Sequence, residues 1–259
     1  MNGAVLYGDE CQNIISNPTK ISQYEKILNN LVAEYRIFLS ATPKRTDGMT
    51  KAMFALCGKV EYIISQDDVK DKTIKAKVKP IYTNYEIGRD SLKYDGTILY
   101  QKLPTNIALD NSRNKLIVDL LKQEKDNYCL ILSDRLEGLE LLHNEVGGLF
   151  INGKMTSKKA KQEREEAIEK MRNKQEHFLF ATYSLAKEGL DIKCLNRLFL
   201  IAPTKNSIQI IQSVGRIERK DEGKETPIVY DFVDKGKYFE DSFKARKRIY
   251  KKNNNPLLT

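Results

Sequence analysis

The 259-residue sequence has no tryptophan, two histidines, four cysteines and no apolar run approaching the length of a membrane span. Each scarcity argues against a class of chemistry. Cys11, Cys57, Cys129 and Cys194 are scattered without a C-x-x-C pair, so neither a zinc ligand set nor a disulfide framework is suggested. A reducing compartment is expected, cytoplasmic or another intracellular one. His143 and His177 have neither triad nor metal spacing and read as surface residues beside element ends. A bilayer-spanning helix needs about 20 apolar residues, and no signal-like segment follows Met1. The chain therefore reads as soluble.

What the chain does have is charge, with enough apolar material to fill a core. Hydrophobic residues make up 41% and the formal charge is +9, with a pI near 9.2, which suggests an anionic partner. Residues 1–70 are balanced in charge, so the excess lies downstream. Much of it falls in Lys235–Lys252, which reads as a helix with Tyr238, Phe239, Phe243 and Tyr250 interleaved. Their near-helical recurrence makes them core anchors rather than base-stacking platforms.

Four short segments carry chemistry. The run Gln212-Ser-Val-Gly-Arg216-Ile-Glu-Arg219 lies on a predicted helix, Ser207–Arg219, where arginines three apart share a face. A guanidinium is a rigid, permanently charged fork, and two aimed at one point can neutralise charge developing on a transferred phosphoryl group. Glu218 between them is a local counter-charge, for which a lysine partner is expected. Upstream, Asp9-Glu10-Cys-Gln12 follows one short apolar run, and Ser40-Ala-Thr42-Pro43 follows another, Ile37–Leu39. A further segment runs from Phe180-Ala-Thr182 to Gly189-Leu-Asp191. These three place small polar or acidic groups at strand ends, and open α/β sheets bind ligands at the carboxyl ends of their strands. There Asp9 could hold a hydrated Mg2+ while Glu10 orients or deprotonates an attacking water.

In this order the segments resemble motifs II, III, V and VI of superfamily 2 helicases of the DEAD/DEAH-like kind: Asp9 to Gln12, Ser40 to Thr42, Thr182 to Asp191 and Gln212 to Arg219. The extension Pro43-Lys-Arg-Thr-Asp-Gly48 is similar to the duplex-DNA translocase and repair-helicase branch. The resemblance implies ATP held between two RecA-like domains, with Asp9 on Mg2+, Glu10 as catalytic base, Arg216 and Arg219 as arginine fingers and Gln212 sensing the γ-phosphate. It implies that Asp191 meets the ribose, that Gly189 lets backbone approach, and that Gln12, Ser40 and Thr42 couple hydrolysis to movement. Thr182 and the Ser133-Asp134-Arg135 loop are the implied contacts to nucleic-acid phosphate, and the branch favours DNA over RNA.

Family members carry a Walker A loop, G-x-x-x-x-G-K-[ST], ahead of motif II. This sequence starts eight residues before Asp9, so the phosphate loop is expected from an upstream segment or a partner polypeptide. Gly148-Leu-Phe-Ile-Asn-Gly153-Lys154-Met155 has the loop's spacing. However, Met155 offers no hydroxyl, and Leu149–Ile151 reads as a strand inside the would-be loop. Gly8, where the family has an apolar residue, predicts a perturbed strand. A half domain without its first strands predicts exposed apolar surface.

Periodicity supplies the architecture. Ile27, Leu28, Leu31, Val32 and Tyr35 form one helical stripe leading into a buried strand, Ile37–Leu39, and a helix through Met53, Phe54 and Leu56 stops at Gly58. Lys75–Ile81 alternates like a strand, and 91–105 has no clear period. Helices at Lys115–Leu121, Leu136–His143 and Lys158–Arg172 then interleave with strands at Tyr128–Leu132, Leu149–Ile151, Phe178–Ala181, Arg197–Ala202 and Pro227–Phe232. The expected class is α/β: a complete C-terminal RecA-like parallel-sheet domain, 79–259, preceded by a linker, 67–78, and a partial RecA-like domain, 1–66. Two functions follow, part of an ATP-dependent DNA helicase or translocase, or a nucleic-acid-binding or regulatory module of helicase shape without ATP turnover.

Overall fold

The structure, a computed structural model, describes residues 4–15, 21–40, 43, 47–64, 67–153, 157–187, 190–202 and 204–258. The chain divides into two compact units, Met1–Asp68 and Val69–Thr259.

The first unit contains β1 (Val5–Gly8), α1 (Gln23–Asn30), β2 (Tyr35–Phe38) and α2 (Thr50–Cys57). The strands are parallel, and Gly8 lies opposite Phe38. A Cβ on Gly8 would sit 2.6 Å from the Phe38 ring, so glycine makes room for that ring. The strand keeps its register through Gly8, contrary to the expected perturbation.

α1 starts at a capping box in which Ser22 and Glu25 satisfy each other's backbone amides. It ends at Asn30 because Leu31 is extended. The expected stripe therefore breaks. Leu28 is buried, whereas Ile27, Leu31, Val32 and Tyr35 are exposed. The strand expected to be buried at Ile37–Leu39 runs instead over Tyr35–Phe38, with Ile37 and Leu39 exposed. α2 stops where expected, at Gly58 with φ 88°. Cys11, Ile14, Ile15, Leu28 and Met53 form the small core. Cys11 and Cys57, distant in sequence, meet at this core, and burial raises the Cys57 pKa to about 11.

The second unit contains β3 (Lys77–Tyr82), α3 (Leu103–Ala108), α4 (Asn111–Gln123), β4 (Cys129–Ser133), α5 (Leu136–Val146), β5 (Leu149–Ile151) and α6 (Lys158–Arg172). After these come β6 (Phe178–Thr182), α7 (Tyr183–Lys187), β7 (Arg197–Leu200), α8 (Ser207–Ile217), β8 (Ile228–Val233) and α9 (Lys237–Lys252). Its six strands are parallel in the order β3-β8-β7-β4-β6-β5. Alternate side chains face opposite ways along a strand, and the two cores follow that rule. Leu130 and Leu132 of β4 pack with Ile168, Met171, Ile210 and Val214 from α6 and α8. Cys129 and Ile131 pack with Ile117, Leu121, Leu139 and Leu142 from α4 and α5. Both faces are covered, as a parallel sheet requires.

β3 is an edge strand, and the chain's own tail covers part of it. The Val78 N–H donates to the Pro256 carbonyl at 2.8 Å and the Leu258 N–H to the Val78 carbonyl at 2.7 Å. Within 67–78, residues Thr73 to Val78 pack on this unit: Ala76 and Val78 are buried and Ile74 bonds the Glu218 carbonyl. Residues 91–105, without period in the sequence, form a Leu92–Ile98 bridge and the start of α3. There Leu103 and Ile107 join Tyr85 and Phe239 in a separate cluster. The two histidines are half-buried rather than on the surface. His143 packs on Phe150 and Phe180, and His177 stacks on Tyr128 at 5.0 Å. Among the described residues no helix is long and apolar enough to cross a membrane.

Candidate functional site

In the first unit, β1 delivers Asp9 and Glu10 to a turn. Glu10 takes the left-handed conformation, φ 51°, and its N–H donates to the Asp9 carboxylate at 2.8 Å. Asp9 is exposed. Gln12 donates its amide to the Glu10 carboxylate and accepts from the Ser40 hydroxyl. Backbone bonds run beside this relay, from Cys11 N–H to Leu39 carbonyl at 3.0 Å and from Leu39 N–H to Gly8 carbonyl at 2.8 Å. The structure thus brings Glu10, Gln12 and Ser40 together at the ends of two paired strands. Thr42 lies outside the described residues.

In the second unit, Ser133 and Thr182 end adjacent parallel strands and are register partners. The Ser133 hydroxyl accepts the Arg135 N–H at 3.0 Å, and the Thr182 and Ser184 hydroxyls are 3.0 Å apart. A Cβ on Gly153 would lie 3.2 Å from the Ser184 hydroxyl, so the turn after β5 borders these groups. Lys154 and Met155 lie outside the described residues. Arg135 opens α5 without a side-chain cap, and its Nε is buried with no hydrogen-bond partner among the described residues. Together with Ser133, Arg113, Asn114 and Gly138 it lines a cavity of about 130 Å3.

The arginine pair departs from its expected geometry yet still converges. α8 ends at Ile217 with Glu218 as its C-cap, so Arg219 lies beyond the helix, bridged to Thr73. Both guanidiniums nevertheless reach the Leu190 carbonyl at 3.5 Å, and Arg219 is ion-paired with Asp191. Gly189 lies outside the described residues. Gln212 is half-buried, its amide oxygen without a partner among the described residues.

Glu218 does not point at the fingers. It is buried and accepts from the Ala76 N–H at 3.0 Å, the Asn255 amide at 2.6 Å and the expected lysine, Lys75, at 3.3 Å.

Three features escaped sequence reasoning. Arg113 is buried beside Asp234 at 2.8 Å and bonds the Ile201 carbonyl. Arg246 makes a buried pair with Asp231, which also accepts from the Tyr250 hydroxyl at 2.7 Å. Lys224 donates to the carbonyls of Arg219 at 2.7 Å and Lys193 at 2.8 Å, and burial lowers its pKa to about 8. Each depends on a fold contact between residues far apart in the chain, for which local sequence offers no signal.

Residues 112–221 match the family described as helicase conserved C-terminal domain. The chain is 29% identical over 241 residues to the "Putative ATP-dependent RNA helicase" of Acanthamoeba polyphaga mimivirus, a match covering 88% of this chain and 44% of that protein. It is 23% identical over 253 residues to the DNA 3'-5' translocase XPB2 of Sulfurisphaera tokodaii, covering 82% of this chain and 56% of that one. The chain spans about half the length of the curated relatives it matches.

Two solved structures share the fold. Dbp5 of S. cerevisiae, bound to RNA and ADP BeF3, has a TM-score of 0.65 at 13% identity over 98% of this chain and 59% of that one. T4 UvsW has 0.56 at 18% identity over 99% and 53%. The six-stranded parallel sheet has the RecA-like fold of these structures, and the part of the chain from 112 to 221 carries the match to the helicase conserved C-terminal domain.

Proposed function

We propose that this chain is part of an ATP-dependent helicase or translocase that couples ATP hydrolysis to movement on nucleic acid, DNA before RNA. The phosphate loop would come from an upstream segment or a partner polypeptide. One observation carries the reading: Arg216 and Arg219, from the end of α8 and beyond it, converge on the Leu190 carbonyl of the turn that also holds Asp191. Two guanidiniums already gathered at one point need only a local exchange of partners to meet charge on a transferring phosphoryl group.

The remaining residues fit that chemistry. Asp9 is an exposed carboxylate at a strand end. Among the described residues no group of three or more His, Cys, Asp or Glu could ligate a metal, so Mg2+ on Asp9 would take its other ligands from phosphate and water, as Mg2+ commonly does. When bound, Mg2+ would neutralise phosphate charge. Glu10 would accept the proton of the attacking water, with Gln12 fixing its carboxylate and Ser40 fixing Gln12. Through that relay a change at Glu10 would reach β2, which is how hydrolysis would move backbone. Arg219 would exchange Asp191 for phosphate, freeing Asp191 for the ribose. Thr182, Ser133 and Arg135 would meet the nucleic-acid backbone at the carboxyl edge of the sheet.

Support for DNA comes from the extension after Ser40 and from the relative named as a DNA translocase. The test is ATP turnover with Mg2+, with and without single-stranded DNA, duplex DNA or RNA, for the chain alone and with candidate loop-bearing partners. Expected is DNA-stimulated turnover that Glu10→Gln abolishes while nucleic-acid binding survives. Unchanged turnover in Glu10→Gln would remove its role, and stimulation by RNA alone would reverse the substrate. Binding without turnover under every condition would favour the ATPase-inactive regulatory module.

A further inference from the structure

We propose that the outward face of α9, with Tyr82 beside it, is a second contact surface for single-stranded nucleic acid, built from residues outside the helicase motifs. The inward face of α9 is committed to the fold, because Phe239, Phe243, Arg246 and Tyr250 are buried. The fully exposed residues of the helix are all charged. Lys244, Lys247, Arg248, Lys251 and Lys252 follow the spacing i, i+3, i+4, i+7, i+8, which gathers them on one stripe. The helix's acids, Glu240 and Asp241, lie toward its start, where they face the helix dipole, and Asp241 pairs with Lys244 at 3.3 Å. The stripe from Lys247 onward is uniformly basic.

An aromatic group adjoins it. The Lys247 ammonium lies 4.8 Å from the Phe243 ring centroid. The same ring meets Tyr82 edge-on, centroids 6.4 Å apart, and Tyr82 is 68% exposed. Cations that follow a phosphate backbone beside an exposed ring that can stack a base are the combination single-strand binders use. Stacking needs an unpaired base, which argues against duplex here. The exposed face has no apolar residue to insert into a bilayer, and the apolar face is inside the core, which argues against a membrane-bound helix.

The inference rests on nucleic acid being the partner in the proposed function but not on ATP turnover. It is tested by fluorescence anisotropy of the full chain with a labelled single-stranded oligothymidylate over a salt series without nucleotide. The variants are Tyr82→Ala and the triple Lys247→Gln, Arg248→Gln, Lys251→Gln. Their altered side chains are exposed, and unchanged circular dichroism confirms folding.

For single strands, the slope of log affinity against log salt falls by about 0.7 for every phosphate that is no longer neutralised, so the triple variant drops by about 2 in slope if all three cations act. Tyr82→Ala weakens binding by about fivefold or more with its slope unchanged. Wild-type slope and affinity in both variants would mean that the face is merely solvated, overturning this inference alone. Failure of the wild type to bind any oligonucleotide would overturn it together with the nucleic-acid partner of the proposed function. Capture by phosphatidylserine vesicles but not by oligonucleotide would assign the face to anionic lipid and overturn it as well.

Discussion

The two units hold their motif residues by different means. In the first, Glu10 is held by Gln12 and Ser40, side chains on the ends of two four-residue strands above a small core. One side of that strand pair, Val5, Tyr7, Tyr35 and Ile37, is exposed. In the second, both faces of the sheet are covered, and charges buried in the cores fix the segments between elements. Arg246 reaches Asp231, the Thr204 carbonyl and the Phe232 carbonyl, while Arg113 reaches Asp234 and the Ile201 carbonyl. A short strand pair suffices to aim a turn. Holding long loops takes donors anchored where water cannot compete.

The largest effect expected from breaking this arrangement comes from the second unit. Asp231→Ala leaves the Arg246 guanidinium buried without its carboxylate, and removing one partner of a buried pair costs about 3–5 kcal/mol. Urea unfolding followed by circular dichroism should show that loss. Amide exchange should place it in β8, α9 and the loop around Thr204, with the first unit unchanged. A loss below about 1 kcal/mol would mean that water reaches Arg246 and that the buried charges are not the anchors.

A smaller loss, about 1–3 kcal/mol, is expected in the first unit from Gly8→Ala, because the new methyl must push the Phe38 ring out of a filled site. Faster exchange at the Leu39 amide, which donates to the Gly8 carbonyl, would report it. The double variant Gly8→Ala, Phe38→Leu should recover most of the loss, since the clash is with the ring alone. Without recovery, Gly8 would be required by its backbone and not by Phe38.

Legibility in the sequence follows the same division. In the second unit, β5 and α6 fall on the residues their periods predict, because a sheet buried on both faces writes continuous apolar runs and its helices write clean stripes. α8 runs shorter than its pattern, since Glu218 turns inward to Ala76 and Asn255, contacts no local pattern encodes. In the first unit the stripe through Ile27 and Tyr35 is real as a pattern but stays unburied, so periodicity overstated the helix. The sequence singled out Asp9, Glu10 and the arginines as candidates; it could not show that Gln12 links Glu10 to Ser40, or that Arg219 leaves the helix and pairs with Asp191.

The smallest expected effect concerns Lys224, the half-buried lysine that donates to the Arg219 carbonyl. Its pKa falls from 10.5 to about 8, chiefly because burial disfavours the ammonium, while Asp221 opposes the shift. Between those values the unfolded chain holds a proton that the folded chain has released. Stability therefore rises with pH through this window, and as pH falls through about 8 the contribution is lost. Tyrosines in the unfolded chain begin to titrate near pH 10, so the window to use is pH 7.5 to 9.5. Urea midpoints of the wild type minus those of Lys224→Met should climb with pH across it. A flat difference would show that Lys224 is solvated and keeps its ordinary pKa. The second unit would then hold the Arg219 turn through the ion pair with Asp191 and the bonds of Glu218, with no contribution from desolvating Lys224.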